Sequence, residues 1–303
     1  MKFSKVLTLT SALSLALLAA NPVLADDHAA HEAAAAVAKG PALWKVADED
    51  TTIYLFGTIH ALPKEIEWYD AEIAEALTAS DTIVTEIKLD KQSEAAMQQL
   101  AIAKGLLPPD TTLRSLLDDD QTATYEAAMT KLGLPTEAFD RLEPWMAALS
   151  LTMLPLMQQG YSPDSGVDKV LIQKAGDKSQ DALETAEFQI AIFDEMAQDA
   201  QIAFMIEAAE GIDEVKPMLD RMVEVWVKGD ADTLAEFMNE NMDDPMVAEK
   251  LLFERNRNWA EWIDTRLDSP GTIFMAVGAG HLAGEKSVQD YLAERGIETI
   301  RVQ

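Results

Sequence analysis

IYLFGTIH (Ile53–His60) and IFMAVGAGH (Ile273–His281) rhyme. Each is an apolar run with the marks of a buried strand, and each ends in Gly-x-x-His. Beyond residue 41 the chain holds no other histidine. A strand closed by a glycine turn carries the following residues to the edge of its sheet, where open α/β sheets form ligand sites. Glycine lets the backbone turn sharply there and pass close to another group. If the two strands lie side by side, His60 and His281 meet, with Gly57 and Gly278 as the glycines that line the bound group.

Around these runs the pattern is α/β. Trp44–Val46 and Ile53–Phe56, separated by the polar ADEDT, predict a β-hairpin. DTIVTEIKL (Asp81–Leu89) reads as a buried strand interrupted by Glu86, and DALETAEF as a short strand carrying Glu184 and Glu187. Helical patterns fill roughly residues 91–175 and 188–266, punctuated by Gly and Pro, and a strand–turn–helix–strand rhythm closes the chain. The expected fold is a central mixed β-sheet that carries both Gly-x-x-His strand ends, with strands near residues 53, 83, 182 and 273 in one sheet and two large helical insertions. The regularly spaced methionines read as core fillers.

The beginning of the chain is different in kind. MKFSK is a short basic start, VLTLTSALSLALLAA is apolar, and small residues precede Asp26. Residues 1–25 therefore read as a secretory signal peptide, too short for a spanning helix, and predict a periplasmic or secreted protein. Residues 26–41, alanine-rich and without a two-sided pattern, read as a flexible leader in which His28 and His31 are solvated. Residues 42–303 are expected to form one α/β domain. There are no cysteines, so stability rests on the core or on a bound metal. Formal net charge is −29, a field that repels nucleic acid and anionic headgroups and argues against them as partners. A peptide or small-molecule substrate is expected, without stable membrane insertion once the signal is removed; self-association is left open.

Two imidazoles alone make a poor catalytic metal site, so carboxylates matter. Glu86, inside an apolar run, needs a partner, and a cation is one. His60, His281 and Glu86 would leave open positions on a divalent manganese, cobalt or zinc ion. Glu184 is either a further ligand or base, or a cap for a helix beginning near Thr185. Asp168 reads as the start of a helix. In ERNRNWAEW (Glu254–Trp262), Arg255 and Asn256 would hold a substrate carboxylate or polarise an oxyanion, although an i,i+4 ion pair would also explain the arginine.

LFGTIH, IVTEI, SGVD, ALET, RNRNW and VGAGHL, in this order, resemble the TraB/GumN family, which includes Tiki-type metalloproteases and is related to ChaN-like and erythromycin-esterase-like proteins. The resemblance covers about residues 42–303. It implies an α/β fold with both Gly-x-x-His motifs at one site, and divalent-metal-dependent peptide hydrolysis by His60, His281 and Glu86, with the family's arginine at Arg255. SGVD stands where many relatives have an aromatic before Gly, which lowers the weight on Asp168. Two other functions stay open: a haem- or ligand-binding module of ChaN-like type, and a metal-free, esterase-like hydrolase with His60 as base.

Overall fold

A computed structural model describes residues 40–240 and 248–303. The expected signal peptide, His28, His31 and the leader up to residue 39 lie outside these described residues. The expected hairpin is β1 (Leu43–Ala47) and β2 (Thr51–Thr58), antiparallel with Leu43 opposite Phe56 and Ala47 opposite Thr52. Its turn is closed by Asp48, whose carboxylate accepts the backbone N–H groups of Asp50 and Thr51.

β2 runs parallel to β7 (Gly271–Gly278) along its whole length, from Thr51 beside Gly271 to Thr58 beside Gly278. β4 (Thr82–Thr85) lies parallel to β7 on its other side, and β6 (Ser179–Ala182) parallel to β4. β8 (Ile300–Arg301) pairs antiparallel with β1, giving the order β6-β4-β7-β2-β1-β8. The four expected strands thus share one mixed sheet. A two-residue ladder, β3 (Leu62–Pro63) with β5 (Tyr161–Ser162), fastens the chain just after His60 to the helical region.

Two strand ends differ from the sequence reading. The strand expected over 81–89 stops at Thr85, so Glu86 sits just past its end rather than inside it. The strand expected over 181–188 stops at Ala182, and Glu187 belongs to the next helix. Both shifts have one cause: polar groups that serve the sheet's edge read as interruptions of an apolar run.

Eleven α-helices occur among the described residues. α1 (Ala71–Ala79) precedes β4. α2 (Lys91–Gly105), α3 (Asp119–Lys131), α4 (Pro144–Gln158) and α5 (Val167–Ala175) form the first block. α6 (Ala186–Asp194), α7 (Gln198–Glu210), α8 (Ile212–Val227), α9 (Ala231–Glu240) and α10 (Glu254–Leu267) form the second, and α11 (Val288–Glu294) follows β7. Period-two alternation in the central strands divides the core. Phe56, Ile83, Phe274 and Ala276 face the large helical layer, while Ile53, Leu55, Met275 and Val277 face Trp259 and Ile263 of α10 and Leu292 of α11. The result is three layers with a sheet apolar on both faces. No helix among the described residues is long and apolar enough to cross a membrane.

Candidate functional site

Four parallel strands run in one direction, and each delivers a polar residue just beyond its carboxyl end. β2 is followed by His60, β4 by Glu86, β6 by Glu184, and β7 by His281 in the short turn Ala279–Leu282. All four side chains are buried. The fold therefore brings together His60, Glu86, Glu184 and His281. Burial of a sheet on both faces leaves its strand ends as the place where polar side chains converge.

The two motif turns pack on each other through their glycines. A Cβ on Gly57 would stand 3.0 Å from Ala279 Cα, so the second motif crosses directly over the first. A Cβ on Gly278 would stand 3.1 Å from Glu86 Oε1, 3.4 Å from the His281 ring and 3.9 Å from His60 Nε2. Gly278 thus keeps open the point on which both histidines and Glu86 converge.

Each imidazole is anchored through Nδ1. His60 Nδ1 lies 2.6 Å from Asp168 Oδ2, and Thr58 Oγ1 donates to Asp168 Oδ1 at 2.8 Å. Asp168, in the first turn of α5, is brought there because the preceding Gly166 packs on the His60 carbonyl, with which any Cβ would collide. His281 Nδ1 lies 2.5 Å from Asn256 Oδ1, and Asn256 Nδ2 donates to the Lys286 carbonyl at 2.8 Å. That second bond fixes the amide, so the ring donates from Nδ1 and keeps its lone pair on Nε2.

Arg255 joins the acids. It is 1% exposed and begins α10 just after the π-turn Glu249–Phe253, a helical irregularity common at functional sites. Nε donates to Glu184 Oε1 at 2.7 Å, and Nη2 to Glu184 Oε2 at 2.9 Å and Glu86 Oε2 at 2.7 Å. Nη1 reaches the Leu251 carbonyl at 3.0 Å and His281 Nε2 at 3.2 Å. Every N–H of the guanidinium therefore has a protein acceptor. Glu184 does not cap α6, whose N-cap is Thr185; it accepts from Arg255 and from Trp259 Nε1. Glu86 Oε1 accepts the Gly278 N–H at 2.8 Å.

The electrostatics follow from this wiring. Burial opposes charge on His60, but the adjoining Asp168 outweighs it and raises its pKa. Burial and the Arg255 guanidinium hold His281 well below the ordinary imidazole range, so it stays neutral. Burial resists ionisation of Glu86, yet the Arg255 guanidinium holds its carboxyl well below the usual carboxylate range. Arg255, despite burial, is held charged by Glu86 and Glu184.

Around the Gly278 cradle stand Glu86 Oε1, His60 Nε2 and the Cδ2 edge of the His281 ring, and imidazole and carboxylate are side-chain types that hold divalent cations. No three His, Cys, Asp or Glu side chains among the described residues already form a ready-made cation cage. Arg255 Nη1 takes the His281 Nε2 lone pair, a hydrogen bond that a cation on that nitrogen would have to replace. Asp168, Thr58, Trp259 and Gln189 are the site residues that motif reading missed or discounted. Asp168, Thr58 and Trp259 lie in the motifs SGVD, LFGTIH and RNRNW, whereas Gln189 lies in none of them.

The fold and site together define a three-layer α/β protein with a buried histidine–carboxylate–arginine centre at the carboxyl edge of its parallel strands. Residues 42–301 match the TraB/PrgY/gumN family, and the chain belongs to that family. Comparison with curated proteins and with solved structures finds no match.

Proposed function

We propose that this chain is an exported, divalent-metal-dependent hydrolase acting on a peptide or a related bond, with His60, His281 and Glu86 as the cation's ligands. The observation that carries the reading is the convergence of both rings and Glu86 Oε1 on the space above Gly278. Formal charge supports it. Glu86 and Glu184 share a single buried guanidinium while Asp168 pairs with His60, an excess of buried acid that a divalent cation would balance. The pattern of support is also that of metal-binding histidines, each with Nδ1 held by an oxygen so that Nε2 is presented in a fixed direction.

When bound, the ion supplies Lewis acidity toward the scissile carbonyl and water. The chain's own residues hold and orient. Asp168 fixes the His60 ring, and Asn256 fixes the His281 tautomer. Arg255 keeps Glu86 ionised and holds Glu184, and its hydrogen bonds make it a positioning residue rather than a substrate contact. Burial by the helical layer excludes water from these groups and strengthens their interactions.

A second reading is favoured by one specific contact, the 2.6 Å bond from His60 to Asp168. A carboxylate on Nδ1 orients an imidazole and stabilises its protonated form, as a general base requires. In that reading hydrolysis needs no metal. One experiment separates the two: metal content and peptide hydrolysis of the wild type, His60→Ala and His281→Ala, each with chelator and with added manganese, cobalt or zinc. Metal bound by the wild type alone, with chelator-sensitive hydrolysis, upholds the first reading. Hydrolysis that survives chelation and is lost in His60→Ala replaces it with the second.

A further inference from the structure

Gln189 stands in none of the roles above, yet it touches the centre of the site. It belongs to the first half of α6 and is 3% exposed. Its Nε2 lies 3.0 Å from Glu86 Oε2 and 3.0 Å from Glu184 Oε2. Both neighbours are carboxylates, so the amide has only one sensible orientation, with its nitrogen toward them. Both N–H protons are engaged there. The carbonyl oxygen Oε1 is turned elsewhere, buried, and has no hydrogen-bond partner among the described residues.

That orphan decides how the residue is to be understood. A buried carbonyl oxygen without a donor weakens folding, whereas an apolar side chain of the same length would not carry the penalty. Core packing alone would be better served by methionine. The glutamine is explained by its nitrogen, which holds the same two Oε2 atoms that Arg255 Nη2 holds. With Oε2 held by both groups, Glu86 can rotate little about its carboxyl bond. Oε1 is thereby kept on the Gly278 N–H and 3.8 Å from His281 Nε2.

We propose that Gln189 is a positioning residue for the site: by clamping Glu86 through Oε2, it sets the direction in which Oε1 faces the two histidines. The proposal rests on the reading of His60, His281 and Glu86 as cation ligands. Arg255 grips Glu184 through both Nε and Nη2 but reaches Glu86 through Nη2 alone, a single bond about which Oε2 of Glu86 can swing. Gln189 supplies the second hold on Oε2, beside the Gly278 N–H on Oε1.

The test compares the wild type with Gln189→Met, which keeps length and removes both donors, by calorimetric titration with cobalt(II) chloride and by thermal unfolding in chelator. Loss of a support behind a metal ligand lowers metal affinity about 10- to 100-fold, and that loss is expected here. The unfolding midpoint in chelator is expected to fall by less than about 5 °C, because the two hydrogen bonds lost to Glu86 and Glu184 are offset by removal of the orphan oxygen. Unchanged cobalt affinity, or a midpoint lowered by more than about 5 °C, makes Gln189 a structural residue and overturns the proposal. If the wild type takes up no cobalt, the ligand reading fails by itself, and imidazole NMR decides the matter for Gln189. Shifted His60 and His281 ring resonances in Gln189→Met, over an otherwise unchanged amide spectrum, then uphold the clamp; unshifted rings refute it.

Discussion

His60 Nδ1 and Asp168 Oδ2 stand 2.6 Å apart, joining the turn after β2 to the first turn of α5 across more than a hundred residues of sequence. The contact is buried on both sides, and Thr58 occupies the other carboxylate oxygen. Asp168 therefore acts on the site through His60 alone.

Replacing Asp168 by Asn keeps the shape and removes the charge. Activity or cobalt affinity is expected to fall about 10- to 100-fold, the usual effect of altering a histidine's supporting carboxylate. The His60 pKa, raised by Asp168, should drop at the same time. Ring NMR titration of the variant checks this; an unmoved His60 titration would contradict the assignment.

Gly278→Ala tests the cradle. The new methyl group would stand 3.1 Å from Glu86 Oε1, and that carboxylate is tied by Arg255, Gln189 and the Gly278 N–H itself. With no room to yield, the substitution should cost about 1–3 kcal/mol of stability, the range for overpacking a well-filled site. Metal uptake should be abolished, and urea unfolding with metal analysis reads both effects. Gly278 has an ordinary φ of −49°, so backbone strain plays no part.

Arg255→Met removes the sole guanidinium between Glu86 and Glu184 and leaves two buried carboxylates facing each other. Breaking a buried ion pair by deleting one partner costs about 3–5 kcal/mol, and a loss of that size is expected in chemical unfolding. Arg255→Lys retains charge but not the fork that reaches both acids and Leu251, so it should recover only part of the loss.

Stability in chelator should fall on the acid side in two stages. His281 is held well below its ordinary value of about 6.5, so below that pH the unfolded chain binds a proton that the folded one refuses. Glu86, whose carboxyl is also held low, adds a second loss as pH drops below the usual carboxylate value of about 4.3. His60 works the other way: its raised pKa gives stability that is fully present below about 6.5 and is lost as pH rises through the folded value. Melting midpoints from pH 8 to pH 4 check the first stage. Its slope should flatten in His281→Gln, and an unchanged slope would remove His281 from the account.

Much of the fold is legible in the chain. Ile53–Thr58 and Ile273–Gly278 are apolar, strand-like and glycine-ended, so their type and their place in one sheet follow from local pattern. The parts of the site that could be read are two histidines after strands, the acids Glu86 and Glu184 at strand-like runs, and Arg255 with Asn256 on a helix. Asp168 looks like an ordinary helix start, and so it is; only the packing of Gly166 on the His60 carbonyl shows that its side chain has another partner. Gln189 is uncharged and leaves no mark in composition or spacing, and Thr58 stands inside LFGTIH with nothing in the sequence to show that its hydroxyl holds Asp168.

The sequence by itself determined the strands, the helical blocks, the two glycine turns and the family, because hydrophobic period and backbone freedom act over a few residues. Tertiary structure alone decided which acid holds which histidine, that the donors of Arg255 all go to protein acceptors, and that Gln189 binds both glutamates. Those relations join residues from distant parts of the chain, and hydrogen bonds depend on ångström-scale distance and direction. Neither exists until four parallel strands are laid side by side and their ends are buried together.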